Sequence, residues 1–387
     1  MELTPQESAT QKLDPEYASP DITEMDQRIL SHIICVELTP EEMHRIITPQ
    51  HTYPQQKTVL AVHWHPEYIP MELIRKRIEN TFPNKEKELI IPTQHNQLMT
   101  YDGEYHGVEV DCYSQGFNRK VQLLLHFKLD DLSRANVLQA MLRHTFEYRS
   151  RQLFELLDTL MDPKWEDYLQ LAAEKTGVET SVVQFARIQT HKLYRLLLEN
   201  ESSISKDFLK NKLLRDFIDG QKSMYPEHFI HKVQVFIKAV KKIVKENFNM
   251  EYFYRTSEVI EEARWIGGGV VIPHPEQFWP ILLCDYDIDG YEVWNPESRE
   301  YTEFLIKVIN RQNKNRSKSL RRLLIFMGDD THMGEKIKDT SQIDASKYYR
   351  EIGVQPAWTD LGIKKSLSIG DFDREKVLDE YLARLEG

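Results

Sequence analysis

The sequence predicts an α/β fold, in which strands and helices alternate with parallel crossovers to form a sheet or barrel. Seven short apolar runs rich in Val, Ile and Leu recur along the chain, and such runs are typical of strands buried on both faces. Amphipathic helical stretches separate several of these runs. A third observation is the interval 130–265, where apolar residues recur at steps of three and four almost throughout, which indicates a large helical insertion.

The predicted strands lie on both sides of this insertion. In chain order they are TVLAVHWHP (58–66), KELIIPTQHN (87–96), HGVEVDCY (106–113), KVQLLLHF (120–127), GGGVVIPHP (267–275), DGYEVWNP (289–296) and RRLLIFMGDDTHMG (321–334). Helical stretches such as 71–82 and 300–312 fall between some of them, as the crossover between two parallel strands requires.

Four parts of the chain follow from these elements. Thr39 and Pro40 mark a short helix in the first part, because Thr is a favoured N-cap and Pro suits the first helical position. The parts are an N-terminal tail with a short helical extension (1–56), the first part of the α/β domain (57–129), the helical insertion (130–265), and the second part of the α/β domain with a C-terminal helix (266–387).

Composition excludes several classes of protein. The 387 residues include 50 Lys and Arg against 61 Asp and Glu, a net charge of −11, which argues against a general nucleic-acid-binding protein. The motifs GxGxxG, GxxxxGK[ST], GxSxG and HExxH are missing. No apolar run reaches the roughly 18 residues of a membrane helix, and the polar start lacks the pattern of a secretion signal. Three scattered cysteines form no CxxC pair. A cytoplasmic protein without a membrane partner is expected.

Two of the predicted strands end in alternating polar residues. Residues i and i+2 of a strand point to the same side, so His63 and His65 would aim two imidazoles at one point. Asp330 and His332 repeat this spacing after the run LLIFMG. Imidazole and carboxylate groups that converge in this way are typical of a metal site.

Three further residues belong to the same pattern. His95 and His274 follow predicted strands, and Glu109 lies within a third. In a parallel barrel the carboxyl ends of the strands face one rim, so all seven side chains would meet there. Seven ligands exceed one tetrahedral site. This mixed set therefore predicts two or three divalent ions and suits Zn, Mn or Fe better than Mg or Ca.

The motifs AVHWHP, PTQHN, GVEVD, VVIPHP and GDDTH, in this order, resemble those of the PHP (polymerase and histidinol phosphatase) superfamily. The resemblance covers about 57–335. It implies a distorted seven-stranded (β/α) TIM-like barrel and metal-dependent hydrolysis of a phosphate ester by a metal-activated hydroxide. The implied substrate is a small phosphorylated molecule, with nucleotides and sugar phosphates both open.

Carried over to this chain, the resemblance implies a set of metal ligands that spans the predicted strands. The set is His63, His65, His95, Glu109, His274, Asp330 and His332, and the position of His126 on its predicted strand adds it as an eighth candidate. Asp330, His332 and His274 are also the expected catalytic residues, the two histidines as aids to proton transfer.

The chain departs from the family pattern at two positions. Pro70 stands where the family often has an acid or a histidine, and Glu67 or Glu72 would replace that ligand only with a shift. Gln122 stands at the start of a strand where the family has a ligand. His126 lies at an even offset from Gln122 on the same predicted strand, so it would face the same side.

Two other functions stay open. An amidohydrolase-type enzyme that cleaves C–N bonds shares HxH on its first strand, but it usually has a strand-end lysine that this chain lacks. A degenerate, non-catalytic PHP-like binding module is the other alternative, and Pro70 and Gln122 favour it.

Other polar residues have simpler interpretations. The segment ARIQTH (186–191) loosely resembles a family helix start, but His191 is more simply a surface or core histidine. The basic stretch 307–322 precedes the last predicted strand, so we expect it far from the metals as a solvated face or a partner contact. The candidates for a phosphate-binding cation are Arg149, Arg151, Arg187 and Arg264.

Overall fold

The chain folds as two units, each made of two separate stretches of sequence. We call Met1–Val36 with Glu147–Asn249 the helical unit, and Glu37–Phe146 with Met250–Gly387 the sheet unit. The computed structural model describes residues 12–15, 18–114, 119–201, 203–317, 320–338 and 344–387.

The helices of both units, in chain order, are α1 (Glu24–Ile34), α2 (Pro40–Ile47), α3 (Met71–Thr81), α4 (Asn136–Met161), α5 (Glu166–Thr176), α6 (Thr180–Glu199), α7 (Lys212–Gly220), α8 (Glu227–Asn247), α9 (Thr256–Trp265), α10 (Thr302–Asn315), α11 (Ala345–Tyr348), α12 (Leu361–Ile369) and α13 (Arg374–Leu385). The strands are β1 (Thr58–Ala61), β2 (Trp64–His65), β3 (Lys87–Ile90), β4 (Met99–Thr100), β5 (Tyr105–Ser114), β6 (Arg119–Lys128), β7 (Gly269–Ile272), β8 (Gly290–Trp294), β9 (Leu324–Met327) and β10 (Thr331–His332).

Helix α8 shows how sequence spacing builds the helical unit. Phe229, Val233, Phe236 and Val240 recur at steps of three and four, and all four are buried. These residues belong to one apolar core with residues of α1, α4, α5, α6 and α7. The helix is thus stabilised by packing of one face rather than by intrinsic propensity alone.

The helix starts follow local sequence rules. Thr39 caps α2, its side chain accepting from the backbone of Glu42 while the Glu42 carboxylate accepts from the backbone of Thr39. Pro40 occupies the first helical position, as the sequence predicts. In the helical unit, Thr23 and Asp26 form the same reciprocal cap at the start of α1.

The sheet unit contains one large sheet and two small ones. The six-stranded sheet has the order β4-β5-β6-β7-β8-β9, and strands β1 with β3 and β2 with β10 form two-stranded parallel sheets. Within the large sheet, β7, β8 and β9 are parallel, whereas β4 to β7 are joined by antiparallel pairs. The apolar runs of these strands form its core.

The predicted seven-stranded TIM-like barrel is wrong. In the described part of the chain the strands form sheets of two, two and six strands, and none closes into a barrel. The runs HGVEVDCY and KVQLLLHF become β5 and β6, which pair antiparallel over their whole length. Only residues 115–118 lie between them, and a parallel crossover needs a dozen or more residues. The fold is a mixed α/β arrangement.

None of the described helices is both long enough and apolar enough to cross a bilayer.

A buried ion pair lies in the helical unit. Lys192 of α6 donates to Oδ2 of Asp26 at 2.9 Å, and Gln221 donates to Oδ1 at 3.1 Å. The Lys192 and Asp26 side chains are 3% and 0% exposed. Burial raises the pKa of Asp26, but hydrogen bonds from Thr23, Lys192 and Gln221 outweigh it, and the pKa is lowered. The carboxylate thus stays ionised inside the unit.

Lys192→Met should destabilise the protein by about 3–5 kcal/mol, because it leaves the Asp26 charge buried without its partner. Urea unfolding followed by far-UV circular dichroism measures the change. The matched control is Lys232→Met, which breaks an exposed pair with Glu179 (2.7 Å) and should cost less than about 1 kcal/mol. Equal losses in the two variants would contradict the prediction.

Candidate metal centre

Strands β2 and β10 bring two histidines side by side. Their parallel register pairs His65 with His332. The two rings stack with centroids 4.3 Å apart, and the His65 ring also stacks on His95 at 4.6 Å. Three imidazoles from separate parts of the chain therefore meet at His65.

His63, directly before β2, is held by a carboxylate of β8. Its Nδ1 lies 2.5 Å from Oε2 of Glu292, and both side chains are 1% exposed. Because an ionised carboxylate only accepts, the proton is on Nδ1 and the Nε2 lone pair is left for a metal. The other Glu292 oxygen accepts from the backbone of His274 at 3.3 Å. A Cβ at Gly328 would lie 1.8 Å from Oε2, so only glycine fits there.

Glu109, in the middle of β5, contacts three imidazoles. Its Oε2 lies 2.6 Å from Nδ1 of His95 and 3.6 Å from Nε2 of His65. Its Oε1 lies 3.7 Å from Nε2 of His274. The two oxygens thus face different histidines, which is the arrangement of a carboxylate that can bridge two ions.

Asp330 places its two oxygens in different roles. Oδ1 lies 3.4 Å from Nε2 of His65 and 3.4 Å from Nε2 of His332. Oδ2 accepts from Nη1 of Arg350 at 2.9 Å, and the same nitrogen donates to the Asp330 carbonyl at 3.0 Å. Nη2 of Arg350 binds Glu297 at 2.6 Å. Arg350 therefore fixes the carboxylate so that Oδ1 faces the imidazoles.

The backbone around Arg350 is itself held by buried charges. The Lys336 ammonium, 1% exposed, donates to the carbonyls of Tyr348 and Arg350. The next residue, Glu351, accepts from Nε of Arg77 at 2.6 Å. The guanidinium of Arg350 is thus attached to a rigid segment rather than to a free loop.

Glu67 is an acidic residue near the position where Pro70 departs from the family pattern. Its Oε1 lies 3.5 Å from Nδ1 of His332, and its Oε2 accepts from the backbone of Gly334 at 2.9 Å. Glu72, the other acid considered for this place, is exposed. Glu67 therefore reaches the cluster and Glu72 does not.

The backbone is strained around these side chains. Among the described residues, five non-glycine residues have positive φ, and four of them lie at the cluster, namely Glu67, Asn96, His274 and Asp330. Such conformations cost about 1–3 kcal/mol each and tend to persist at functional sites.

Burial and neighbouring charge set the protonation of the cluster. Burial lowers the pKa of His63, but Glu292 outweighs it and the pKa rises to about 10. Burial, with the imidazoles of His332 and His95, lowers the pKa of His65 to about 3. Burial raises the pKa of Glu109, yet its histidine neighbours bring it well below the ordinary value. In the absence of metal, protons on histidines balance the carboxylates, so metal uptake would release protons.

The spacing of the donor atoms fits metal ions. Two ligands bound at about 2.1 Å to a tetrahedral ion lie about 3.4 Å apart. The distances from Asp330 Oδ1 to the imidazoles of His65 and His332 match this value and exceed ordinary hydrogen bonds. Two groups of ligand atoms lie within 4.8 Å of one another, His63 with His65 and Glu109, and His65 with Asp330 and His332. His65 belongs to both groups.

His126 does not join this cluster. Its Nδ1 lies 2.6 Å from the hydroxyl of Tyr381 and its Nε2 lies 3.0 Å from the carbonyl of Val62. A carbonyl only accepts, so Nε2 carries the proton and Nδ1 accepts from the Tyr381 hydroxyl. Both ring nitrogens are thus engaged in protein hydrogen bonds, and burial lowers the pKa of this histidine to about 4.

Other residues from the sequence analysis lie elsewhere. Gln122 is half-buried on β6, and His191 is exposed on a helix of the helical unit. Arg264 pairs with buried Asp289 at 2.7 Å, and Arg187 pairs with Glu166 at 2.7 Å.

Two residues of the site were missed by the sequence analysis. Glu292 interrupts the apolar run DGYEVWNP as Glu109 interrupts GVEVD, and one glutamate among buried strand residues is a sequence signal of a functional carboxylate. Arg350 follows the last predicted strand in a region without a motif. Its role depends on contacts that the sequence does not display.

The comparisons with known proteins are sparse. No family model and no curated protein matches the chain. One of the similar solved structures is a protein from Bifidobacterium adolescentis, provisionally described as a metal-dependent phosphoesterase. It has a TM-score of 0.42 and 18% sequence identity, and the match covers 78% of this chain and 99% of that one. The resemblance to the PHP superfamily thus stays a prediction from motifs.

Glu292→Gln should weaken metal binding by about 10- to 100-fold, because it removes the charge that orients His63. Competition against a chelator of known affinity, with circular dichroism as a folding check, measures the change. Glu303→Gln, on the surface of α10, is the matched control and should bind metal normally. Unchanged metal affinity in Glu292→Gln would contradict the assigned role.

Arg350→Lys keeps the charge but loses the fork that holds both Asp330 and Glu297. We expect metal affinity to fall by about tenfold or more, with the fold retained. The same competition assay tests this, with Arg299→Lys as the control at an exposed arginine of the sheet unit. A folded Arg350→Lys protein that binds metal as tightly as the unchanged protein would disprove the positioning role.

Proposed function

We propose that the sheet unit is a metal-dependent phosphoesterase that hydrolyses a small phosphorylated substrate. It would hold two or three divalent ions of the Zn, Mn or Fe type. The proposed ligands are His63, His65, His95, Glu109, His274, Asp330 and His332, with Glu67 as a further acid beside His332.

One observation supports this proposal most directly. Donor atoms from several separate strand ends lie at the distances that ligands of one ion keep from each other, and His65 is shared by two such groups. The shared residue and the two-sided contacts of Glu109 favour neighbouring ions over one isolated ion. The order of the sequence motifs adds the expectation of a phosphate ester.

Each part of the chain has a distinct task in this proposal. When bound, divalent ions would polarise the phosphoryl group and lower the pKa of a water molecule. Glu292 keeps the His63 proton on Nδ1, and Arg350 keeps Oδ1 of Asp330 turned toward the imidazoles. These contacts hold the ligand atoms in place without a change of conformation during the reaction.

The exposure of the side chains indicates where substrate enters. The His63 and His65 side chains are 1% exposed, whereas those of His95 and His332 are each 24% exposed. Substrate would therefore approach past His95 and His332. Where its Nε2 binds no ion, His332, with Nδ1 beside Glu67, is the proposed residue for passing a proton to solvent.

Removal of metal should abolish phosphatase activity. The purified protein is analysed for bound transition metals, and hydrolysis of p-nitrophenyl phosphate and of nucleotides is measured before and after chelation. His63→Ala and Asp330→Ala should lose bound metal and lower kcat/KM by at least about a hundredfold, since each removes a ligand. Activity should return when chelated protein is reloaded with metal.

The control is His228→Ala, at an exposed histidine of α8, which should keep full metal content and activity. Protein without transition metal, or unchanged activity in both ligand variants, would overturn the proposal. Turnover of cyclic amides but not of phosphate esters would indicate an amidohydrolase, and metal binding without any turnover would indicate a binding module.

A further inference from the structure

The sheet unit contains a cavity that the proposed phosphoesterase does not use. Its volume is about 930 Å³, within the range of small-molecule sites. It lies between helix α10 and the 3₁₀ segment Pro275–Leu283, and we call it the α10 pocket. None of the proposed metal ligands lines it.

The α10 pocket and the metal centre lie at different ends of the same strands. Ile288 and Leu323 line the pocket, and they precede the first residues of β8 and β9 by two positions and by one position. The candidate ligands His274 and Asp330 follow β7 and β9 instead. Since β7, β8 and β9 are parallel, the pocket is at the end opposite to the metal centre.

One face of α10 gives the pocket its polar side. Val308, Arg311, Gln312 and Asn315 line it, and their spacing of three and four along the chain places them on a single helix face. Arg316, the residue that follows the helix, also lines the pocket. They belong to the stretch 307–322, which has no acidic residue although the whole chain has a net charge of −11. This basic face is thus a local exception to the charge of the protein.

Two buried polar atoms of this face lack a partner within the described chain, although the Gln312 amide nitrogen donates to the carbonyl of Leu282 at 2.7 Å. Arg316 Nε and Gln312 Oε1 are buried atoms without a hydrogen-bond partner among the described residues. In the same part of the chain, neither Arg311 nor Arg316 has a carboxylate within ion-pair distance, whereas Arg264, Arg322, Arg350 and Arg384 of the same unit all do. A buried donor without a partner costs about 1–3 kcal/mol, which an acceptor on a ligand would recover.

The rest of the pocket wall is mainly apolar and aromatic. Trp279, Leu282, Tyr286 and Tyr291 line it, and exposed Asp285 is the one acidic residue among the described lining residues. Trp279 also packs edge-on against Tyr301 and Phe304, with ring centroids 5.3 and 5.5 Å apart, so the wall is fixed by its own packing. A cationic face together with an aromatic wall favours a ligand with an anionic head and an apolar body.

We propose that the α10 pocket binds a small organic anion, with a carboxylate or phosphate group on Arg311 and Arg316 and an apolar body against Trp279 and Tyr291. This inference does not depend on the proposed phosphoesterase activity, because the ligand would bind away from the metal centre.

The experiment is a calorimetric titration of the full chain with two probes, 2-naphthoate and decanoate. Neutral 2-naphthylmethanol serves as the isosteric comparison. We expect saturable 1:1 binding of at least one anion, and binding of naphthoate at least about tenfold tighter than binding of the neutral compound, because hydrogen bonds to charged groups discriminate by that factor or more.

Two variants locate the site. Arg316→Gln and Arg311→Gln should each weaken anion binding by about tenfold. Because Arg311 is exposed, we expect the Arg311→Gln protein to fold normally. Lys314→Gln removes the same charge from an exposed position of α10 outside the pocket and should bind normally. His63→Ala should also bind the anion normally, which separates this result from failure of the metal centre.

Three results would overturn the proposal. They are no saturable binding of either anion, equal affinity for the neutral compound, and a loss in Lys314→Gln as large as in the two arginine variants. The last result would mean that general surface charge, and not the pocket, attracts the probe.

Discussion

The sheet unit depends on two carboxylates that are largely withdrawn from water. Glu109 and Asp330 have side chains 2% and 19% exposed, and an ionised carboxylate in such surroundings must be balanced by positive charge or by a metal. Imidazoles from separate strand ends surround both groups, and Arg350 takes the remaining oxygen of Asp330. Three features hold these balancing charges in place. They are the strand ends, Glu292 beside His63, and the hydrogen bonds of buried Lys336.

Short and irregular pieces of backbone, rather than a closed barrel, do this positioning. Strands β2 and β10 are only two residues long, yet their register sets His65 against His332. Positive φ values at Glu67, Asn96, His274 and Asp330 turn the chain sharply where the ligands are presented. The surrounding apolar core over-determines these conformations, which is how strain is retained at a site.

The HxH and DxH motifs correctly indicate four residues of the candidate site, His63, His65, Asp330 and His332. Strand parity is not the reason that they meet, because His63 and Asp330 lie just before the two-residue strands β2 and β10, and Asp330 has a positive φ. The parallel register of β2 with β10 brings the two motifs together. The contact of Glu292 with His63 spans 229 residues, and no local pattern announces it. His126 shows that strand spacing alone does not identify a metal ligand. It lies at an even offset from Gln122, but its two ring nitrogens are hydrogen-bonded to the Tyr381 hydroxyl and the Val62 carbonyl. The strand runs could be recognised, but run composition alone does not distinguish parallel from antiparallel pairing. The four-residue connection at 115–118 does indicate antiparallel pairing, because it is too short for a parallel crossover.

The interleaving of the two units bears on the order in which the chain folds during synthesis. The helical unit needs Met1–Val36 and Glu147–Asn249, and its buried Asp26 meets Lys192 within these stretches. All of it is translated before β7 to β10. The helical unit can therefore complete its core first, when β1 to β6 have been translated but their later partner strands have not. During that interval β6 is an unpaired edge, and unpaired edges are prone to aggregation. Slow translation beyond residue 250 would prolong this exposure, and a chaperone that shields strand edges would act at this stage.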